Sequence, residues 1–159
     1  MIITYQPIGI IHSPFEGIDN VPIQPTAAEG IRGTVEVFAE FLPGLKDLEG
    51  FSHIFLLYHF HRVSKTRLVV TPFLDREERG VFSTRAPTRP NPIGISIVRL
   101  LGIEGSSLQV ENIDIVDGTP LLDIKPYIPQ FDHHASDRTG WLVESREKVQ
   151  GKRSDERFG

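Results

Sequence analysis

The 159-residue chain contains no cysteine and no long uninterrupted apolar run. The absence of cysteine excludes a disulfide framework, a thiolate nucleophile and any metal site built on cysteine. The opening stretch "MIITYQPIGIIHSPF" has no basic region, and Pro7, His12 and Pro14 interrupt its apolar residues. We therefore expect neither a secretory signal nor a membrane span, and we expect a cytoplasmic protein.

Common nucleotide-binding and hydrolase signatures are also missing. No G-x-x-x-x-G-K-[ST] loop occurs, and no G-x-G-x-x-G follows a predicted strand. Because these loops hold nucleotides at helix N-termini, the usual methyltransferase and dehydrogenase sheets lose support. Serine hydrolysis loses support too, because the candidate serines lack a nucleophile elbow; they are Ser13, Ser52, Ser83 and Ser96.

The composition is that of an ordinary soluble globular protein. Hydrophobic residues make up 39% and charged residues 24% of the chain, which argues against extensive disorder, and the length suits one domain. After Phe131 the strand pattern gives way to polar residues. We predict one β domain over residues 1–135, followed by a C-terminal extension over residues 136–159 that is partly helical or flexible.

Short β-prone runs between glycines and prolines dominate the predicted domain. Residues 8–11 form one run, residues 34–39 alternate apolar and polar side chains, and the apolar residues 52–63 predict a buried central strand. Residues 45–48 predict only a helical turn. Breaks about every 10 residues, without long amphipathic helices, predict an all-β fold. We expect a small closed or nearly closed antiparallel β-barrel with short helical turns and a C-terminal tail.

Charge is distributed unevenly along the chain. The net charge is −4, yet residues 62–99 carry 8 basic and 3 acidic side chains, whereas residues 1–61 carry 2 and 7. A local basic zone in an acidic protein is typical of a site for a phosphate-bearing partner, because lysine and arginine neutralise phosphates. A solvated surface loop is the alternative explanation.

The segment "STRAPTRPNPIG" joins positive charge to a stiff backbone. Between Arg85 and Pro92 three prolines each fix their own φ and restrict the preceding residue to extended geometry. We expect this segment to be ordered before anything binds, so that Arg85 and Arg89 are held at fixed positions.

Three histidines, His53, His59 and His61, fall at odd positions of the strand predicted over residues 52–63. Side chains at such positions point to one face of a strand, and a His-x-His pair is a known metal-ligand geometry. No carboxylate stands at a supporting spacing, so we assign no metal ligands. A role for His61 in a ligand pocket, metal binding and plain packing stay open.

Acidic residues gather in the stretch "NIDIVDGTPLLDIKPYIP". The pair Asp117-Gly118 is a strong turn signal, so Asp117 has a structural explanation beside a functional one. Asp123, Lys125 and Tyr127 alternate with apolar residues, which puts an acid, a base and a phenol on one strand face. That face is either solvated or the wall of a pocket.

Four blocks in one order resemble a known family between residues 8 and 131: "GIIHSPF", "GLKDLEGFSHIFLLYHFH", "GVFSTRAPTRPNPIGISIVRL" and "NIDIVDGTPLLDIKPYIP". They resemble the S-adenosylmethionine-dependent tRNA methyltransferases that methylate N6 of threonylcarbamoyladenosine next to the anticodon. The resemblance implies a β-barrel enzyme outside the Rossmann class, with S-adenosyl-L-methionine as cofactor and the tRNA anticodon loop as partner. It also implies a homodimer with the cofactor near the subunit interface, and no membrane. Better-known bacterial members carry an additional C-terminal domain, and we expect a short form without it.

The resemblance also implies site residues. Those implied for the cofactor are Gln24, Pro25, Thr26, His61, Arg62, Arg85, Gly94, Ile113 and Asp114. Those implied for the substrate are Arg89, Asn91 and Lys125. The catalytic set is Arg85, Asp117, Asp123, Lys125 and Tyr127.

Methyl transfer is an in-line displacement, so the protein mainly positions donor and acceptor. Asp114 is the best candidate to hold the ribose, amino group and sulfonium of the cofactor. Arg85 and Arg89, followed by Lys125, are candidates to grip the carboxylate of the threonylcarbamoyl group. Three residues stay open as the base that takes the N6 proton: Asp117, Asp123 and His61.

Two other functions are alternatives. One is a regulatory module that binds S-adenosylmethionine without transferring its methyl group. The other is a metal-dependent barrel enzyme that uses His59 and His61.

Overall fold

Strands joined by loops and short helices make up the chain in the computed structural model, which describes residues 1–17, 19, 28–73 and 75–142. The strands are β1 (Gly9–His12), β2 (Arg32–Val37), β3 (His53–His59), β4 (Val69–Val70), β5 (Arg79–Gly80), β6 (Ile93–Glu104), β7 (Ser107–Glu111) and β8 (Thr119–Pro126). Turns of 3-10 helix occupy Ala39–Leu45, Leu48–Gly50, Val81–Ser83 and Gly140–Leu142, and one α-helical turn, α1, occupies Pro129–Asp132. Among these described helices, none is long and apolar enough to span a membrane.

Six of the strands close into a barrel in which every neighbouring pair is antiparallel. The order around the barrel is β1, β2, β7, β6, β3 and β8, and β8 pairs back onto β1. Strands β4 and β5 form a separate two-stranded sheet. The predicted all-β fold with a closed antiparallel barrel is therefore confirmed.

Side chains at alternate strand positions fill the barrel. In β6, Gly94, Ser96, Val98 and Leu100 are buried, whereas the residues between them are exposed. Because burying one isoleucine or leucine is worth roughly 1.5–3 kcal/mol, the interior rows fix the register of the strands. The largest fully buried side chains are Ile11, Ile54, Leu56, Leu108, Ile113 and Leu121.

The central strand is shorter than the sequence predicts. Strand β3 ends at His59, because its partner β6 begins at Ile93, directly opposite His59. His61 then lies in a turn. The prediction that all three histidines share one strand face is therefore wrong for His61.

Three connections leave the barrel at the same end, which we call the loop end. They join β1 to β2, β3 to β6 and β7 to β8, and they follow from the antiparallel order of the strands. Because the second and third connections carry most of the predicted site residues, the topology brings those residues to one end of the barrel.

The second connection, residues 60–92, forms a small unit that we call the basic lobe. Strands β4 and β5 pair within it, and Val70, Val81 and Ala86 form its own buried cluster, with Phe73 packed against them. The lobe carries most of the basic residues counted in the central zone of the sequence.

The chain returns to the basic lobe near the end of the described residues. The indole Nε1 of Trp141, in the last 3-10 turn, donates a hydrogen bond to the carbonyl oxygen of Ser83 at 2.9 Å. Residues 143–159 lie outside the described residues, so the predicted division into residues 1–135 and 136–159 stays a prediction.

Candidate functional site

A chain of three polar side chains enters the barrel interior at the loop end. Tyr58 on β3 and Ser96 on β6 face inward, and their hydroxyl oxygens are 2.9 Å apart. The Ser96 hydroxyl donates to Oδ1 of Asp114, in the third connection, at 2.7 Å. Because the single proton of Ser96 goes to Asp114, the Tyr58 hydroxyl is the donor to Ser96.

Gly94 makes room for this chain. It pairs with Tyr58 across β3 and β6, and a Cβ atom at Gly94 would run into the Tyr58 ring and into Phe60. The ring of Phe60 packs edge-on against Tyr58, with 5.5 Å between centroids. Tyr58 therefore has its position set on one side by the strand pairing and on the other by Phe60.

Burial dominates the electrostatics of these groups. It raises the pKa of Asp114 to about 6, against the hydrogen bond from Ser96 and the positive charge of Arg85, which both lower it. Burial also raises the pKa of Tyr58, and the charge of Asp114 raises it further. At neutral pH the pair is therefore a neutral phenol and a carboxylate that is mostly ionised but poorly solvated.

The charge of Arg85 acts on the Asp114 carboxylate. Its side chain is exposed, yet its charge lowers the pKa of both Asp114 and Tyr58. Asp114 has no ion pair within the described ranges, so Arg85 compensates its charge only through space. The loop end thus presents an anionic centre with an exposed arginine close by.

His61 and Arg62 lie in the turn after β3. Burial, followed by the charge of Arg62 and by His59, lowers the pKa of His61, which favours the neutral ring. The Nε of Arg62 donates to Nε2 of His61 at 3.3 Å, and its Nη2 donates to the carbonyl oxygen of Glu16 at 3.4 Å. Arg62 therefore ties the first connection to the basic lobe and occupies the basic nitrogen of His61.

The proline-rich segment is stiffened by hydrogen bonds as well as by its prolines. Nη1 of Arg89 donates to the carbonyl oxygens of Thr84 and Ala86, at 3.0 and 3.3 Å. Asn91 is exposed, and its carbonyl accepts from the amide of Ile93 at 2.7 Å. Arg89 is thus partly committed to its own loop.

One polar group of the same segment is left unsatisfied. The hydroxyl of Thr88 is buried and finds no hydrogen-bond partner in the part of the chain that the structure describes. A buried hydroxyl without a partner is costly, so Thr88 lowers the stability of this segment.

Asp117 serves the turn that the sequence predicts. Its Oδ1 accepts from the amide of Ser13 at 3.1 Å and lies 3.4 Å from Nδ1 of His12, and Gly118 follows with φ at 78°. These bonds join the first and third connections. A catalytic role for Asp117 stays a prediction, and its observed contacts are with the end of β1 rather than with Asp114.

Asp123, Lys125 and Tyr127 share one face, and it is the outer face of the barrel. Lys125 Nζ is 2.9 Å from Oδ2 of Asp123, which raises the pKa of Lys125, and both side chains are substantially exposed. The Tyr127 ring packs against Phe55, with 5.6 Å between ring centroids. The barrel wall separates this face from the interior chain of Tyr58.

The structure brings several predicted residues together at the loop end: His61, Arg62, Arg85, Gly94, Ile113 and Asp114. Ile113 is fully buried, and its amide donates to the carbonyl oxygen of Ile31 at 3.1 Å, so the residue packs beneath the loop end and is not exposed to a ligand there. The predicted contacts Gln24, Pro25 and Thr26 lie outside the described residues.

Tyr58 and Ser96 are functional candidates that sequence reasoning missed. The sequence pattern that could have identified them is the alternation of buried and exposed residues in β3 and β6. Tyr58 and Ser96 occupy buried positions of these strands, where the other residues are aliphatic or glycine. Within the described ranges, no group of three or more histidine, cysteine or acidic side chains is placed to hold a metal ion. A metal-dependent enzyme built on His59 and His61 is therefore not favoured.

Comparisons with known proteins point to one family. The family described as tRNA-methyltransferase O N-terminal domain matches residues 10–133. A Pyrococcus abyssi protein named "Probable S-adenosyl-L-methionine-binding protein" is 57% identical over 158 residues, which cover 99% of this chain and 86% of that protein. The human tRNA (adenine(37)-N6)-methyltransferase is 37% identical over 134 residues, or 80% of this chain and 30% of the human protein.

A solved structure agrees with these sequence matches. The crystal structure of TrmO from Pseudomonas aeruginosa aligns with a TM-score of 0.74 at 43% sequence identity. The alignment covers 89% of this chain and 63% of the bacterial chain. This chain thus spans less than two thirds of the bacterial protein's length.

Proposed function

The chain belongs to the family of the tRNA-methyltransferase O N-terminal domain, and from this membership we propose that it is an S-adenosyl-L-methionine-dependent tRNA methyltransferase. We propose the finer substrate as well: N6 of threonylcarbamoyladenosine, next to the anticodon. The observation that carries the proposal is the position of Asp114, a half-buried and poorly solvated carboxylate at the loop end whose pKa is lowered by the charge of the exposed Arg85.

The residues at the loop end fit the cofactor. S-adenosyl-L-methionine supplies a methyl group on a cationic sulfonium and also carries amino, carboxylate and ribose groups. An ionised but poorly solvated Asp114 suits a cationic group, because a neighbouring cation offsets the cost of its burial.

Each interior residue then has a distinct role. Ser96 holds the Asp114 carboxylate by a hydrogen bond, and Tyr58 holds Ser96, so the carboxylate is oriented before the cofactor arrives. Gly94 keeps Tyr58 in place by leaving space for its ring. This preorganisation supports catalysis by positioning, which is the main requirement of methyl transfer.

The exposed arginines are proposed for the acceptor. A threonylcarbamoyl group ends in a carboxylate, and a guanidinium binds a carboxylate through two parallel hydrogen bonds. Arg85 has no hydrogen bond from its side chain among the described residues, whereas Arg89 uses Nη1 for its own loop. We therefore assign the carboxylate to Arg85 first, with Arg89 and Asn91 beside it.

Each of the three candidates for the base that takes the N6 proton already has a partner in the described part of the chain. His61 is neutral, but its Nε2 already accepts from Arg62, and Asp117 is engaged with the end of β1. Asp123 lies on the outer face in an ion pair with Lys125. Asp123 and Lys125 can therefore serve a site only where a second subunit covers this outer face.

A homodimer is the remaining part of the proposal. Four of the five outward residues between Ile93 and Leu101 of β6 are partly exposed apolar side chains, namely Ile93, Ile95, Ile97 and Leu101; the fifth, Arg99, is exposed and charged. Strand β3 lies between β6 and β8, so this row shares one outer surface with Asp123, Lys125 and Tyr127. A second copy packed on that surface would bury the apolar row and bring the charged pair next to a subunit interface.

Nucleoside analysis tests the proposed activity. The purified full chain is incubated with S-adenosyl-L-methionine and tRNA that either carries or lacks threonylcarbamoyladenosine, and the digested nucleosides are analysed by mass spectrometry. The modified nucleoside is expected to gain one methyl group, and the unmodified tRNA is expected to gain none. Cofactor binding by calorimetry without methylation of either tRNA would support the binding module instead.

A further inference from the structure

The basic lobe exposes an aromatic ring that the proposed cofactor site does not use. Phe82, in the 3-10 turn Val81–Ser83, is 76% exposed, whereas its neighbour Val81 is buried in the lobe's own cluster. A single exposed apolar residue is common on protein surfaces and needs no explanation alone. What distinguishes Phe82 is how it is held and what surrounds it.

The backbone on both sides of Phe82 is fixed. The carbonyl oxygen of Val81 accepts from Oγ1 of Thr84 at 2.8 Å, and the carbonyl oxygen of Ser83 accepts from the indole of Trp141 at 2.9 Å. The hydroxyl of Ser83 donates to the carbonyl oxygen of Gly80 at 2.7 Å. The ring therefore projects from an ordered turn, and little backbone entropy is lost when a ligand contacts it.

Positive charge lies beside the ring and elsewhere on the basic lobe. The guanidinium carbon of Arg89 lies 6.0 Å from the centroid of the Phe82 ring, and Arg85 is three residues along the chain from Phe82. Lys65 and Arg67, on the same lobe, are exposed and form no ion pair within the described ranges.

The lobe's acidic residues do not cancel this charge. The lobe has three acidic residues against seven basic ones. Asp75 and Glu77 both pair with Arg79, at Nε and Nη2 respectively, and the exposed Glu78 forms no ion pair within the described ranges. The other basic side chains of the lobe keep their charge available to a partner.

We propose that Phe82 is a stacking platform for an unpaired base of the RNA substrate, and that Lys65, Arg67 and Arg89 bind the phosphates on either side of that base. The inference rests on the proposed function, because it takes tRNA as the partner. Unpaired bases stack on exposed aromatic rings, and guanidinium groups beside the ring bind the backbone. An apolar protein partner would leave these cations buried without counter-charges, so RNA fits the charge better.

A binding assay on the full chain tests the platform. The probe is a fluorescently labelled anticodon stem-loop RNA, and its anisotropy is measured for the wild type, Phe82→Ala and Phe82→Trp. Phe82→Ala is expected to weaken binding about tenfold or more, whereas Phe82→Trp keeps wild-type affinity because its ring still stacks. The matched control is Phe131→Ala, an exposed phenylalanine on α1 that we expect to leave binding unchanged.

A second probe separates stacking from general charge. A duplex of the same stem, closed at both ends and lacking unpaired bases, is expected to bind wild type and Phe82→Ala equally. Calorimetry is expected to give both proteins the same affinity for S-adenosyl-L-methionine. Equal affinity of wild type and Phe82→Ala for the stem-loop would overturn the platform, as would light scattering that shows a lower molecular mass for Phe82→Ala, which would place the ring at a subunit interface.

The proposed activity has a separate readout. If the wild type methylates tRNA while Phe82→Ala binds the stem-loop normally, the platform alone is wrong. If Phe82→Ala loses affinity but the wild type methylates no tRNA, the platform stands and the proposed activity is wrong.

Discussion

Asp114 is the residue on which the chemistry of the loop end depends most. Its carboxylate is held by Ser96, which in turn accepts from Tyr58, and burial raises its pKa to about 6. The Asp114 carboxylate is poorly solvated and accepts a hydrogen bond from a hydroxyl inside the barrel, unlike a carboxylate on the surface. A group that titrates near neutrality makes ligand binding sensitive to pH.

Cofactor affinity is expected to depend on pH through Asp114. Below about pH 6 the carboxyl is protonated, so a proton must leave before it can hold a cation, and affinity falls about tenfold for each pH unit. Above that pH the carboxylate is ionised and affinity levels off. Calorimetry with S-adenosyl-L-methionine from acidic to neutral pH measures the profile, and Asp114→Asn is expected to flatten it.

S-adenosylhomocysteine is the ligand control for this profile. It lacks the sulfonium charge but keeps the amino and carboxylate groups, so its affinity for the wild type is expected to depend less on pH. The same pH profile for both ligands would mean that Asp114 does not face the cationic centre. Stability provides a further check: because the folded pKa lies above the ordinary 3.8, the wild type loses stability as pH rises through this window, and Asp114→Asn does not.

Removal of the Ser96 hydroxyl is expected to lower the free energy of unfolding more than removal of the Tyr58 hydroxyl. Ser96→Ala leaves the buried Tyr58 hydroxyl without an acceptor and is expected to lower the free energy of unfolding by about 1–3 kcal/mol. Tyr58→Phe removes the donor itself and leaves Ser96 bonded to Asp114, so its cost is smaller. Urea denaturation measures both, and the double variant is expected to recover part of the Ser96→Ala loss. Equal costs for the two single variants would contradict the order of the chain.

At the scale of single residues, some residues of the loop end could be predicted from the sequence and others could not. Arg85, Gly94 and Asp114 are predicted from a family resemblance, and the structure places all three at the loop end. Tyr58 and Ser96 were not predicted. A polar side chain at a buried strand position has a recognisable role only when its hydrogen-bond partner is known, and here the two partners are 38 residues apart. Hydrogen bonds between distant segments are a property of the fold and leave no local pattern.

The elements follow local patterns, whereas their ends do not. Alternating apolar residues predict the strands, and short β-runs without long helices predict the closed barrel, which is confirmed. The end of β3 at His59 was not predictable, because it is set by the start of β6 at the far side of the basic lobe. Strand ends depend on long-range pairing, so the predicted strand over residues 52–63 ran too long.

Strand β6 contains a matched pair of glycines that test its packing. Gly94→Ala would push a methyl group into the Tyr58 ring, which cannot turn aside while bonded to Ser96, and is expected to destabilise the fold by roughly 1–3 kcal/mol. Gly102→Ala, on the same strand, meets nothing within 4 Å and is expected to be neutral or slightly stabilising. Thermal unfolding of both variants makes the comparison, and equal melting temperatures would contradict the packing described for Tyr58.

At the scale of the whole molecule, positive charge and exposed apolar side chains lie on different surfaces. The chain has a net charge of −4, but 7 of its 17 lysine and arginine residues lie on the basic lobe, and the outer row of β6 is apolar except at Arg99. The uneven charge is visible in the sequence because the lobe is one continuous segment. The apolar surface is not, because it is assembled from β3, β6 and β8 by pairing.

A charged substitution on the outer face of β6 tests the proposed homodimer. Ile95 is 46% exposed, and Ile95→Lys is expected to convert the proposed dimer to a monomer, because like charges would meet across a two-fold interface. Val69→Lys, at an exposed position of the basic lobe, is the matched control and is expected to leave the mass unchanged. Light scattering coupled to gel filtration measures both. A wild type that is monomeric at all concentrations would refute the dimer.

The most direct test of the central claim is to map where S-adenosyl-L-methionine binds on the whole protein. Backbone amide chemical shifts are measured by NMR on the full chain as the cofactor is added. The largest changes are predicted at the loop end, around Arg85, Ser96 and Asp114, and they are expected to weaken strongly in Asp114→Asn. Saturable changes confined to the 3-10 turns of residues 39–50, at the opposite end of the barrel, with the loop end unaffected, would contradict the account.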